Sequence, residues 1–159
     1  MSASGARRII VGIGEALRID GAGRTSAGGL ACDVALAAVR LGHTGVAISR
    51  IGQDAAGDEM LRDLRQANVD VDHMQTDPDW PTGRLTIRSI AGRTTRILAP
   101  QAAFDNLQWD FDLVDVGQNA DAVVFGELAR RGGQTKSVIK QFLAGCGSAL
   151  KFYDATNRS

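Results

Sequence analysis

Short runs of apolar residues alternate along the chain with longer segments in which apolar residues recur every three or four positions. The runs are typical of buried strands, and the longer segments are typical of amphipathic helices. The predicted strands cover residues 8–13, 45–51, 69–74, 122–125 and 149–153. The predicted helices follow Gly29, follow the turn at 52–57, and cover residues 112–118 and 135–143. Strands that alternate with helices predict an α/β fold with a doubly wound, mostly parallel sheet.

One segment departs from this rhythm. Residues 85–90 alternate between polar and apolar side chains, residues 91–93 form a turn, and residues 94–98 complete a β-hairpin. Such alternation gives the hairpin two different faces, unlike the buried strands around it. Residues 18–28 are polar and rich in glycine, and they predict a loop or a small excursion before the first helix.

The rest of the chain is organised around residues 27–42, where a glycine pair opens a helical pattern. Gly28 and Gly29 allow a tight turn and a close approach of backbone N–H groups to a ligand. The pattern places on one helix face Leu30, Val34, Ala37, Ala38 and Leu41, and Gly42 ends it. A helix start of this kind suits a polar or anionic ligand. The alternative is a glycine turn that only packs the helix against the sheet.

Ligands of doubly wound sheets bind at the carboxyl ends of the strands. Four segments of this chain follow predicted strands directly: Gly14-Glu15, residues 52–57, Gly126-Glu127 and residues 154–158. We therefore expect a ligand site to be bordered by these segments.

Composition narrows the class of protein. The chain has 159 residues, 44% of them hydrophobic, and a formal net charge of zero, which predicts one domain with a core and neither a nucleic-acid nor a membrane-surface partner. The two cysteines, Cys32 and Cys146, lie far apart without a partner motif and indicate a reducing compartment. Neither a signal peptide nor a membrane span is evident, so a cytoplasmic location is expected.

Common cofactor motifs fit poorly. The segment Gly12-Ile13-Gly14 begins like a dinucleotide fingerprint, but Leu17 stands where the third glycine belongs. Residues 23–28 have the glycine spacing of a P-loop without the lysine that must follow. His43 and His73 lack partners at ligand spacing, so a metal site is not predicted.

An ordered set of short motifs gives a more specific indication. They are Gly14-Glu15-Ala16-Leu17, residues 28–35, Arg40-Leu41-Gly42, residues 51–57, Asn68-Val69-Asp70, Thr82-Gly83, residues 125–131 and residues 154–158. In this order and approximate spacing, the chain resembles the N-terminal half of the PfkB (ribokinase-like) carbohydrate kinases. The first motif and residues 125–129 resemble the fructokinase-like branch.

The resemblance implies a ribokinase-like, Rossmann-like sheet and a small β-sheet lid formed by residues from about 18–28 and 84–98. It implies sugar-binding roles for Asp20, Gly28, Gly29, Asp33, Glu127 and Arg158. Carboxylates suit such roles because they accept several hydroxyl hydrogen bonds at once. The implied activity is transfer of a phosphoryl group from ATP, with Mg²⁺, to a hydroxymethyl group of a fructose-like sugar.

The sequence also departs from the family's pattern. Asp33 stands where the family usually has asparagine, and an ungapped match puts Ile19, not Asp20, at the usual acidic position. In residues 154–158, Asn157 comes one position late, while Asp154 and Arg158 keep their spacing. These departures affect sugar binding more than the fold.

The family's Asn-x-x-Glu and Gly-x-Gly-Asp motifs, which supply the metal-associated residues, the anion hole and the base, do not occur in residues 1–159. We therefore expect a truncated, sugar-binding half with no catalytic residue of its own, no tight binding of ATP or Mg²⁺, and no activity alone. The alternatives are a non-catalytic remnant that binds a sugar or a partner, and a nicotinamide-binding Rossmann domain. We expect a homodimer formed through the lid, or self-association through an exposed last strand.

Overall fold

The computed structural model describes residues 6–156. In chain order the strands are β1 (Ile9–Ile13), β2 (Leu17–Gly21), β3 (Arg24–Gly28), β4 (Thr44–Gly52), β5 (Met74–Asp77), β6 (Gly83–Ile90), β7 (Arg93–Leu98), β8 (Ala122–Gly126) and β9 (Leu150–Asp154). The helices are α1 (Leu30–Arg40), α2 (Ala55–Gln66), α3 (Asp112–Asn119) and α4 (Gly133–Gly145). Short 3₁₀ helices cover Ala103–Asn106 and Leu128–Arg130.

The central sheet contains five strands in the order β5-β4-β1-β8-β9, and every described pairing in it is parallel. Two apolar clusters cover its faces. The buried residues of α3 and α4 pack on one face, and those of α1 and α2 pack on the other. The predicted doubly wound α/β class is confirmed.

A second, four-stranded sheet has the order β3-β2-β6-β7. Strand β2 pairs in parallel with β6 and antiparallel with β3, and β6 pairs antiparallel with β7. We call this the lid sheet. Its base packs on a small cluster of Leu17, Leu85, Ala102 and Phe104, while most of β7 is exposed. Residues 18–28, predicted as a loop or small excursion, therefore form a β-hairpin that continues into the sheet of the predicted hairpin.

The strand predicted at 69–74 is wrong. Val69 and Val71 are buried, but the backbone between them makes only one bridge, from Asp70 to Val46, before it turns. The pairing strand, β5, begins at Met74. The sequence predicted a strand here because Val69 and Val71 alternate with polar residues. Both valines are buried in the core, but the backbone that carries them is irregular.

The predicted apolar face of α1 is also partly wrong. The buried residues are Leu30, Ala31, Cys32, Ala35 and Ala38. Of the other predicted members, Ala37 is exposed and Leu41 is 76% exposed. Apart from Leu30, the side that packs on the sheet is therefore made of small residues, which allow the helix to lie close to β1.

The dinucleotide alternative loses its structural basis. A dinucleotide fingerprint requires a helix to begin directly after the glycines. Here Leu17, which follows Gly12 and Gly14, begins the strand β2. Among the described helices, none is long and apolar enough to cross a membrane.

Candidate functional site

The glycine pair joins the lid sheet to the first helix. Gly28 ends β3, and Gly29 is the N-cap of α1 with φ +86° and ψ 158°. A methyl group on Gly29 would lie 2.6 Å from the carbonyl oxygen of Glu15. Both the conformation and the space therefore require glycine at position 29.

Glu15 occupies the start of the same helix. Its side chain is 2% exposed, and its Oε1 accepts a hydrogen bond of 3.0 Å from the backbone N–H of Leu30. Its carbonyl oxygen accepts another, of 3.2 Å, from the N–H of Ala31. Two donors that a helix start would offer to an anion are thus used inside the protein. An anionic ligand therefore cannot bind through these two N–H groups, and a polar or anionic ligand at this helix start stays a prediction.

Gly28, Ile19 and Asp33 lie together beside this helix start. A methyl group built on Gly28 would overlap Cδ1 of Ile19 and would lie 3.6 Å from Oδ1 of Asp33. Asp33 is exposed in the first turn of α1. Of the predicted sugar ligands, the structure therefore brings together Gly28, Gly29 and Asp33.

Asp20 lies on the other face of the lid sheet. Adjacent residues of a strand point to opposite faces, and Ile19 packs with the apolar cluster at the base of the lid. The Asp20 carboxylate instead forms an ion pair with Arg84, 2.5 Å from Oδ2 to the guanidinium nitrogen. The structure therefore does not place Asp20 with Asp33.

Glu127 follows β8 and starts the 3₁₀ helix Leu128–Arg130. Its Oε2 accepts hydrogen bonds from the Tyr153 hydroxyl and, at 3.1 Å, from Arg130. The bond to Glu127 raises the pKa of Tyr153. Leu128, the next residue, packs against the apolar cluster under the lid. Glu127 thus lies at the carboxyl end of the sheet, where it was predicted, with its Oε2 bound by Tyr153 and Arg130 on the surface.

The last predicted ligand, Arg158, lies outside the described residues, as does Asn157. Asp154 ends β9 opposite Gly126 of β8, and its Oδ1 accepts a 2.8 Å hydrogen bond from the N–H of Thr156. The segment that begins at Asp154 therefore starts at the same edge of the sheet as Glu127.

Cys32 lies one residue before Asp33 and is fully buried. Burial, and then the nearby carboxylates of Asp33 and Glu15, raise the pKa of its thiol. The thiol therefore stays protonated and serves packing rather than nucleophilic chemistry. Within residues 6–156 there is also no group of three or more His, Cys, Asp or Glu side chains that could hold a metal ion.

A carboxylate ties the lid to the central sheet. Asp54 is the N-cap of α2, and its Oδ1 accepts hydrogen bonds from the N–H of Gly57 (2.9 Å) and the hydroxyl of Thr82 (2.6 Å). Its Oδ2 accepts a third, of 2.9 Å, from the N–H of Thr82. Thr82 directly precedes β6, and its hydroxyl also accepts from the N–H of Gly52, 3.0 Å away. This clamp sets where the lid hairpin leaves the body.

We expect Asp54→Asn to loosen this clamp, because an amide nitrogen replaces one carboxylate oxygen and cannot accept, so one of the two hydrogen bonds from Thr82 is lost. Partial burial would raise the pKa of Asp54, but the hydrogen bonds from Thr82 and Gly57, together with the nearby charge of Arg84, outweigh it and leave the pKa below its ordinary 3.8. The stabilisation is therefore present above about pH 4 and is lost as the pH falls through the lower folded-state pKa.

The expected loss for Asp54→Asn is about 1–2 kcal/mol at pH 7, with faster amide exchange in β6 and β7, and the difference from the parent protein shrinks in acid. Denaturant unfolding at two pH values and hydrogen exchange measure both effects. Asp121→Asn is the matched control, because Asp121 accepts from Ile9 and Arg8 at the other end of the sheet. Unchanged lid exchange in Asp54→Asn, or equal acceleration in the control, would contradict the clamp.

Solved structures of several kinases contain the fold of this chain. An uncharacterized sugar kinase of Pyrococcus horikoshii superposes with a TM-score of 0.81 at 24% identity, over 94% of this chain and 53% of that chain. A 2-dehydro-3-deoxygluconokinase of Thermotoga maritima gives 0.81 at 15%, over 96% and 52%. A fructokinase of Xylella fastidiosa gives 0.80 at 19%, over 94% and 51%. The Pyrococcus and Xylella proteins have also been crystallised with ATP.

Sequence comparison agrees. The Pyrococcus kinase is 26% identical over 132 residues, which are 82% of this chain and 43% of that protein. The chain thus spans about half the length of the relatives it matches. Residues 13–143 match the sequence model of the pfkB family of carbohydrate kinases. This match includes the glycine pair, Asp33, the lid sheet and Glu127, and the chain belongs to the PfkB family of carbohydrate kinases.

Proposed function

We propose that residues 1–159 are the sugar-binding part of a PfkB kinase that phosphorylates a hydroxymethyl group of a fructose-like sugar. The observation that carries the proposal is the arrangement at the carboxyl end of the sheet. There the glycine pair and Asp33 lie beside the lid sheet. Glu127 directly follows β8, which is the neighbour of β1 in the central sheet. The family match supports the same proposal. Both cysteines are free, which supports a reducing, cytoplasmic setting.

The charge of the site favours a neutral sugar over a sugar acid. The exposed carboxylate of Asp33 accepts hydrogen bonds from hydroxyls and repels a ligand carboxylate. Among the relatives, a fructokinase acts on a neutral sugar, and a 2-dehydro-3-deoxygluconokinase is named for an acid. We therefore infer a neutral, fructose-like substrate.

ATP and Mg²⁺ belong to the proposed activity of a whole PfkB enzyme, because phosphoryl transfer requires charge stabilisation around the phosphates. The described residues of this chain do not fit that task. They contain no metal-holding group, and Glu15 occupies the start of the helix that could have received a phosphate. We therefore propose that neither ATP nor Mg²⁺ binds tightly to residues 1–159, and we assign no catalytic residue among them.

Purified residues 1–159 are expected to bind a ketose but not to phosphorylate it with ATP. Calorimetric titration with fructose tests binding, and sensitive detection of fructose phosphate tests turnover. A family fructokinase assayed beside it serves as the positive control. Fructose phosphate whose formation depends on this chain, and not on a contaminant, would show that the chain is catalytically complete.

Asp33→Asn is expected to tighten fructose binding. Asparagine both donates and accepts hydrogen bonds, whereas an ionised aspartate only accepts. One additional hydrogen bond is typically worth about 1 kcal/mol, which corresponds to a several-fold gain in affinity. Titration of the two proteins under the same conditions measures it, with Asp79→Asn as a control outside the site. Equal or weaker binding by Asp33→Asn argues against Asp33 as a sugar ligand.

The departures from the family pattern favour a second candidate, a non-catalytic module that binds a sugar or a partner. Ile19 places an aliphatic side chain beside Gly28, and Asp33 adds a charge. The two functions differ in one measurement. A module remains inactive when the second half of a PfkB kinase is supplied as a separate chain, whereas a kinase half gains activity.

A further inference from the structure

One face of the lid sheet is apolar near its base. Its side chains alternate along the strands, and the residues that pack on the cluster at the base of the lid include Leu17, Ile19, Leu85 and Ile87. The polar side chains of β2 lie on the other face. Asp20 pairs there with Arg84, and Arg18 pairs with Glu59 and Asp63 of α2. The described side chains of β2 thus turn no hydrogen-bonding group toward the glycine pair.

Ile19 is the member of this apolar face that reaches the site. Its Cδ1 occupies the space that a methyl group on Gly28 would need, and the Asp33 carboxylate lies 3.6 Å from the same point. Ile19 is only partly buried. A ligand beside Gly28 would therefore meet an aliphatic wall on one side and a carboxylate on the other.

Resting on the proposed sugar site, we propose that Ile19 determines specificity and that the substrate is a sugar with a deoxygenated carbon facing the lid. A hydroxyl placed against Ile19 would lose its bond to water and gain no partner. A methylene or methyl group would instead bury apolar area against Ile19. The hydroxyls of the substrate then point toward Asp33.

Two matched pairs of sugars test this specificity by calorimetric titration: D-ribose with 2-deoxy-D-ribose, and D-fructose with 1-deoxy-D-fructose. We expect the parent protein to bind the deoxy member of at least one pair about tenfold more tightly. Ile19→Asn supplies a donor and an acceptor, so it should reverse that preference. Ile97→Asn is the matched control, because Ile97 pairs with Thr86 and is 49% exposed on the lid.

Three results overturn the proposal. One is equal or tighter binding of the hydroxylated member in both pairs by the parent protein, and another is an unchanged ratio in Ile19→Asn. The same shift in Ile97→Asn would also overturn it, since the effect would then not belong to position 19.

A measurement without ligand separates this proposal from the proposed function. Gly28→Ala should overlap Cδ1 of Ile19, and Ile19→Val removes that atom. The loss of melting temperature caused by Gly28→Ala should therefore be smaller in the Ile19→Val background than in the parent. Additive effects overturn the packing on which the specificity depends. If the coupling is present but neither pair of sugars binds, the proposed sugar site fails, and the specificity fails with it.

Discussion

Replacing Gly29 with alanine is expected to lower the free energy of unfolding by about 4 kcal/mol and to abolish sugar binding. Two costs add. The φ of +86° and ψ of 158° lie in a region that essentially only glycine adopts, and forcing alanine into it costs about 1–3 kcal/mol. The new methyl would also lie 2.6 Å from the carbonyl oxygen of Glu15, an overlap with backbone that costs about 1–3 kcal/mol more.

The same overlap also affects the proposed sugar site, because Glu15 binds the first turn of α1. Its carbonyl and carboxylate hold the first N–H groups of α1, so a shift of Glu15 disturbs the helix start that carries Asp33. A domain of this size is stable by only about 5–15 kcal/mol, so the loss is a large fraction of the total. Chemical denaturation and fructose titration measure the two effects.

Gly42→Ala is the matched control for Gly29→Ala. Gly42 also has a positive φ, +83°, but a methyl group there meets nothing within 4 Å. Its expected cost is therefore only the conformational one, about 1 kcal/mol, with unchanged sugar affinity. If both variants lose the same stability, then the close approach of Gly29 to Glu15 has no energetic weight.

Local pattern was sufficient for much of the fold. The continuous apolar run that ends at Ile13 and the alternation in residues 85–98 each predicted strands directly. A short apolar run is typical of a buried strand, and alternation is typical of strands with two different faces. The helix α2 was equally evident, since Met60 and Leu64 are large and lie one turn apart.

The hydrophobic pattern did not identify the buried positions where small residues form the packed surface. In α1, alanine occurs on several faces, so the sequence does not distinguish the buried Ala35 from the exposed Ala37. Close approach of the helix to the sheet makes that choice, and it is a tertiary property. In residues 69–74, buried valines were consistent with a strand, but backbone pairing depends on the neighbouring strand.

The site shows the same limit. The proximity of the glycine pair to Asp33 was evident from the sequence, because these residues are close along the chain. The cap by Glu15 joins residues 15 positions apart and has no local signal beyond the Gly14-Glu15 pair at a strand end. Whether position 19 or position 20 faces the site depends on the register of β2, and only its pairing with β3 and β6 defines that register.

Residues 1–159 are expected not to be a well-behaved monomer in solution. Strand β9 is the last strand of the central sheet, and one of its edges has no partner among the described strands. The side chains of β9 are also exposed on both of its faces. Leu150 and Phe152 are 63% and 52% exposed on one face, and Tyr153 is 45% exposed on the other. Unpaired strand edges and exposed apolar side chains favour association.

The lid offers a second surface, since Ile90 and Ile97 are 63% and 49% exposed. Paired variants separate the two routes. The double substitution Leu150→Asp with Phe152→Asp is expected to weaken self-association about 100-fold, because it removes roughly 3 kcal/mol of apolar burial. Ile90→Asp with Ile97→Asp is the matched pair on the lid, with the same number of added charges. Sedimentation velocity at high micromolar concentration measures each association constant.

The outcome bears on the function because the relatives extend well beyond the matched region, which is 53% of the Pyrococcus kinase chain. If only the β9 variant loses association, then the molecules associate through β9, as expected for one half of a kinase. Association lost only in the lid variant instead assigns a dimer to the lid sheet. A stable parent monomer that unfolds cooperatively contradicts the prediction. Residues 1–159 would then be a self-sufficient domain, and the binding module would be favoured over the kinase half.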